Sequence, residues 1–372
     1  MSVSNADCRS NFEKCWTPGL CYLFLLIPFV VTAGGCAPVP VVPDDSDTVA
    51  TVFADVGSPQ VTDGRARFRE VFCAVNADHG RDLPDYRPCE ESLRVLSPEP
   101  SPSGESVSLS DQQPVLHIYS VLGFGADCFA PMLADEDSVL EHLRTLGHAV
   151  EMVPIEGLAS TELNARVIRD SVMASASETP DSPVILFGYS KGVADILDAL
   201  VTYPELTQRV SAVVSLAGAV GGSPLAVDAT QWQASLLAKI PGSGCDKSDG
   251  GSIDAMLPDV RKDWLASHAL PDTVRYYSIL AMPEPDKVSK ILKITYNKLG
   301  KIDVRNDSQI IFTDQIIPGS TVLGFLNADH WAVAIPIARS HPLVAKSMVN
   351  HNAFPREVLN EAIVRIIQQD LR

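Results

Sequence analysis

Short apolar, β-branched runs alternate with stretches of helical period over most of this chain. Residues 115–121 form an apolar run that ends near Gly123, residues 138–146 repeat their apolar positions at helical spacing and stop at Gly147, and residues 149–154 are strand-like again. A helix is expected over 163–176, a fully buried strand over 184–187, a helix over 193–201 and a strand over 212–216. Further strands are expected at 274–280 and 321–326, with a closing helix at 356–371. Strand and helix in strict alternation predict an α/β fold: a mostly parallel sheet with helices on both faces. No internal repeat is visible.

Upstream the pattern changes. Residues 61–95 hold one helical stretch, 65–75, followed by a Pro-containing loop up to Cys89, and a second Pro-rich break at 97–106 separates them from the alternating region. Residues 61–111 are therefore expected to be a small extension, and 112–372 the main domain, with an insert of mixed character at about 218–273. In that insert an amphipathic stretch around Trp232, Leu236, Leu237 and Ile240 follows Gly221-Gly222-Ser223. Its apolar groups are expected either to line a pocket or to pack on the domain for stability alone.

The first residues read as a targeting segment. A polar stretch with Arg9 and Lys14 precedes the apolar run 20–31 and the small-residue string Thr32-Ala33-Gly34-Gly35-Cys36. The run is short for a membrane span. Small residues ending at a cysteine resemble the lipobox of bacterial lipoproteins, which implies a signal peptide over 1–35, lipidation of Cys36 and a membrane-anchored protein in the cell envelope. The pattern departs from the lipobox at Ala33, where leucine is usual, and cleavage after Ala33 would instead release a soluble secreted protein. Residues 36–60, Pro-rich and acidic in their first part, suit an extended tether.

Cysteine usage agrees with export. Of eight cysteines, Cys8, Cys15 and Cys21 would leave with the signal and Cys36 would be acylated, leaving Cys73, Cys89, Cys128 and Cys245, an even set in an oxidising compartment. Cys73 and Cys89 are close in sequence and set apart by the Pro-rich break. The expected bridges are therefore Cys73–Cys89 and Cys128–Cys245. No cysteine pair has zinc-type spacing and no H-E-x-x-H occurs, so the sequence suggests neither metal nor cofactor. A net charge of −17 on 372 residues argues against nucleic acid as a partner.

Gly188-Tyr189-Ser190-Lys191-Gly192 carries the strongest chemical signal, because it lies between a buried strand and a helix. In that setting the serine occupies a sharp turn, and flanking glycines remove Cβ atoms that would strike the neighbouring backbone. A serine hydroxyl needs a base, and the base needs an orienting acid. Among eight histidines, His330 alone follows an expected strand by a short loop, Asn327-Ala328-Asp329. His79, His117, His142 and His148 read as structural or surface residues, and His268, His341 and His351 lie in polar or turn-like surroundings.

These residues resemble the α/β-hydrolase family, in particular its lipase and esterase-like members. The resemblance spans about 112–340 and rests on the 188–192 elbow, on Leu122-Gly123-Phe124-Gly125 as an oxyanion loop, and on Arg305-Asn306-Asp307-Ser308 as the lipase Asn-Asp-Gly segment. Two positions depart from the pattern: Leu122 replaces the usual histidine and Ser308 the usual glycine. The resemblance implies Ser190 as nucleophile, His330 as base and Asp307 as acid, with Asp314 a competitor for the last role, and it makes the 218–273 insert a cap. Backbone N–H groups of Phe124 and Lys191 would form the oxyanion hole; the Lys191 side chain is expected to be solvated. The implied activity is hydrolysis of a small-molecule or lipid carboxylic ester through an acyl-enzyme, without cofactor. Thioesterase and acyltransferase chemistry share this machinery, and a non-catalytic surface lipoprotein could keep the same scaffold for binding.

Overall fold

The computed structural model describes residues 61–109, 114–125, 137–174, 182–229 and 248–372. Among these residues eight strands form one sheet: β1 (Thr62–Asp63), β2 (Leu93–Arg94), β3 (His117–Val121), β4 (Ala149–Met152), β5 (Val184–Tyr189), β6 (Val210–Leu216), β7 (Arg275–Ala281) and β8 (Thr321–Leu326). Their order is β1-β8-β7-β6-β5-β3-β4 with every neighbour parallel, and β2 pairs antiparallel with β8. Among the described residues six helices of nine or more residues accompany it: α1 (Arg65–Asp78), α2 (Asp137–Thr145), α3 (Thr161–Ala174), α4 (Lys191–Thr202), α5 (Pro258–Ser267) and α6 (Arg356–Asp370).

The central strands are buried on both faces, which explains their near-continuous apolar character. Along β5, Ile185, Phe187 and Tyr189 join a core with Phe68 and Phe72 of α1, Leu140 of α2 and Ile363 of α6. Val184 and Leu186 point the other way, into a core with Ile168 of α3 and Ile196 of α4. Alternation of successive side chains across a strand produces the split.

The N-terminal segment differs from the expected separate extension. β1 and β2 both pair with β8, and α1 packs against β8 and α6. β8 would otherwise present an open edge, and two short strands from upstream cover it. They are only two residues each, too short for an alternating pattern to register in the sequence. A disulfide joins Cys73 of α1 to Cys89, with the Cα atoms 5.3 Å apart. Cys36, Cys128, Cys245, Trp232, Leu236, Leu237 and Ile240 lie outside the described residues.

Candidate functional site

Ser190 sits between β5 and α4 at φ 55° and ψ −127°, a conformation that non-glycine residues rarely adopt. The turn is closely packed, and the glycines around it have no room for a side chain. A Cβ on Gly192 would stand 2.3 Å from the carbonyl oxygens of Val121 and Leu122, and one on Gly188 would meet Val193 and Ile196 within 2.9 Å. Gly123, at the end of β3, is equally constrained, because a Cβ there would lie 2.6 Å from that of Ser190.

The imidazole of His330 places Nε2 3.0 Å from Ser190 Oγ and Nδ1 2.6 Å from Asp307 Oδ2. All three residues are buried: Asp307 completely, His330 to all but 3% and Ser190 to all but 9%. Asp307 is held from its own loop, where its Oδ1 accepts the backbone N–H groups of Gln309 and Ile310 at 2.8 and 2.7 Å, leaving Oδ2 for the imidazole. Its carbonyl also accepts the backbone N–H of His330. Asn306 braces the same loop: its Oδ1 accepts the N–H of Ser308, and its amide donates to the Asp303 carbonyl. Tyr189, inside the elbow motif, donates its hydroxyl to the carbonyl of His330 at 2.8 Å and sets its ring 5.0 Å from the imidazole. Neither Asn306 nor Tyr189 carries a signal in the sequence that would assign these tasks.

The other two acids near the site do different work. Asp314 pairs with Lys262 at 3.6 Å, and burial raises its carboxyl to about 6. Asp329 adjoins His330 but turns away, accepting the N–H groups of Ser289 and Ala332; burial raises its carboxyl too. Lys191 corrects the expectation of a solvated side chain. It is buried, and its ammonium lies 2.6 Å from Asp195 Oδ1, one turn along α4. Asp195, whose carboxyl is raised by burial, takes a second hydrogen bond from Asn164 of α3.

A cavity of about 290 Å³ opens beside Ser190 and His330. Phe124 from the loop after β3, Ile310 from the acid loop, and Leu225, Ala226, Ile253 and Met256 from the insert line it. The insert is tied to the acid loop through Ser223, whose hydroxyl donates to the Gln309 carbonyl. Every group therefore converges at the carboxyl ends of the parallel strands, where such sheets collect their ligands.

Neither a protein-family model nor a curated protein matches the chain. Among solved structures, the metagenomic carboxyl esterase MGS0156 is 36% identical over 86% of this chain and 95% of its own length, with a TM-score of 0.78. The chain belongs to the α/β-hydrolase family. EstA from Clostridium botulinum matches this hydrolase at 13% identity over 79% of the chain and 97% of its own, with a TM-score of 0.50, a likeness of fold. The mature lipase BlEst2 from Bacillus licheniformis is 20% identical over 65% of the chain and 94% of its own, with a TM-score of 0.47.

Proposed function

We propose that this hydrolase cleaves carboxylic esters through an acyl-enzyme, with Ser190 attacking, His330 moving the proton and Asp307 orienting the imidazole. The hydrogen-bonded run from Asp307 through His330 to Ser190 carries this reading. Nε2 faces the hydroxyl it must deprotonate, and the carboxylate on Nδ1 selects the tautomer and stabilises the imidazolium that forms. Attack on the ester carbonyl gives a tetrahedral oxyanion. The backbone N–H groups of Phe124 and Lys191 are its proposed donors. Lys191 opens α4, and the first N–H groups of a helix have no intrahelical acceptor. Collapse returns the proton from His330 to the leaving alcohol, and water then repeats the sequence on the acyl-enzyme.

The apolar cavity against Ser190 suits the hydrocarbon part of an acyl group, and the carboxyl esterase MGS0156 supports an ester as substrate. Ser190→Ala is expected to fold normally, because the turn tolerates a smaller side chain, and to lose both fluorophosphonate labelling and ester turnover. Normal turnover in that variant would remove the assignment.

A further inference from the structure

His79, His142 and Glu361 stand 63 and 219 positions apart in the chain (142 − 79 and 361 − 142) and meet at one point. His79 caps the C-terminus of α1, His142 lies in α2 and Glu361 in α6. Both imidazoles turn Nε2 toward the same carboxylate oxygen, Glu361 Oε2, at 2.8 and 2.7 Å. The three atoms lie within 4.8 Å of one another. Glu361 is fully buried, and its other oxygen accepts Arg365 at 2.7 Å.

We propose that these three residues bind a transition-metal dication of the zinc type, with water as the fourth ligand. The geometry points there: three candidate ligand atoms from separate elements converge within 4.8 Å of one another. His79 has a carboxylate at each ring nitrogen, Asp78 at Nδ1 (2.9 Å) and Glu361 at Nε2. In the metal-free form an imidazolium can donate to both carboxylates, and a dication at Nε2 would take the place of the second proton. With a dication at the centre, Nδ1–H donates to Asp78 and the Nε2 lone pair binds the metal. That is the usual carboxylate–histidine–metal arrangement, in which the outer carboxylate fixes the tautomer and raises the ligand's basicity.

Two imidazoles and a carboxylate suit zinc better than calcium or magnesium, which prefer all-oxygen shells. Bonds of about 2.0–2.1 Å in a tetrahedral site put ligand atoms about 3.3 Å apart, so the two short contacts need to open by about half an ångström and the two imidazole nitrogens, within 4.8 Å of each other, to take the same spacing. The side chain of His79 is 27% exposed, which gives water access to the open position. None of these residues belongs to the Ser190 constellation. The ion would act as a cross-link, fastening the end of α1 to α2 and α6.

The test uses the tag-free full chain, stripped with chelator and titrated with Zn²⁺ and separately with Co²⁺. Wild type should take up one equivalent of Zn²⁺ with a rise in Tm, and the Co²⁺ form should show the strong visible bands of a four-coordinate site. Asp78→Asn should weaken Zn²⁺ binding by about tenfold or more. The double variant His79→Ala/His142→Ala should bind none, and ester turnover should stay unchanged in every case. A wild type that binds no stoichiometric Zn²⁺, or a double variant that binds it as tightly as wild type, overturns the site.

Discussion

Asp307 and Asp314 share one stretch of chain and differ in what surrounds them. Two backbone N–H groups hold the carboxylate of Asp307 against His330, whereas Asp314 has one oxygen near Lys262 and the other without a hydrogen-bond partner among the described residues. Asp307→Asn is expected to lower turnover by about three to four orders of magnitude, since an amide favours the wrong tautomer. Asp314→Asn should leave turnover nearly intact; a crippled Asp314→Asn beside an active Asp307→Asn would exchange their roles. The pH behaviour of Asp314 adds a second check. Its carboxyl is raised by burial to about 6, above the ordinary 3.8, so its contribution to stability is complete below pH 3.8 and is lost as pH rises through about 6. Relative to wild type, Asp314→Asn should therefore gain about 1–3 kcal/mol of stability between about pH 4 and about pH 8. A difference that is the same at both pH values would refute this. Ser308, where the lipase segment has glycine, lies at φ 86° with its buried hydroxyl lacking a partner among the described residues. Ser308→Gly removes both costs and should stabilise the fold by about 1–2 kcal/mol in urea denaturation; a net loss would show that its side chain makes a compensating contact.

At the scale of elements, α4 has a cation buried at its N-terminus, the end where the helix dipole is unfavourable to positive charge. Lys191 is tolerated there because Asp195 lies one turn away and Asn164 links that carboxylate to α3. The pair thus fixes the helix start, which carries one proposed oxyanion donor. Lys191→Ala would leave Asp195 buried and unpaired, at an expected cost of about 3–5 kcal/mol. The double variant Lys191→Met/Asp195→Leu should lose much less. Chemical denaturation of both decides the matter: a loss below about 1 kcal/mol in Lys191→Ala would mean that the pair contributes little.

On the scale of the whole molecule, the Cys73–Cys89 disulfide fits a protein that reaches an oxidising compartment. Export with acylation of Cys36 remains our proposal on the strength of the residues before that cysteine. Metabolic labelling with a palmitate analogue should mark the wild type and leave Cys36→Ala unmarked. Equal labelling of both would remove the anchor and favour a soluble secreted form.

The parts of this molecule legible in its sequence are those decided within a few residues. Buried strands such as 184–187 announce themselves because both faces are covered, and the elbow is readable because a turn that crowded admits only glycine two positions to either side of the serine. His330 is found by its place after Thr321–Leu326, and Asp307 by its neighbours in the motif. What depends on distant segments meeting was settled by the tertiary structure alone. The partner of Lys191 is four positions away, but its burial depends on α3; β1 and β2 matter because β8 has an edge to cover. The lining of the cavity joins a loop after β3, the acid loop and the insert. His79, His142 and Glu361 give no metal spacing along the chain, because ligand geometry is a property of three helices packed together. Local sterics and periodicity act over one turn or one strand, whereas a shared hydrogen bond between remote side chains exists only once the core has closed around them.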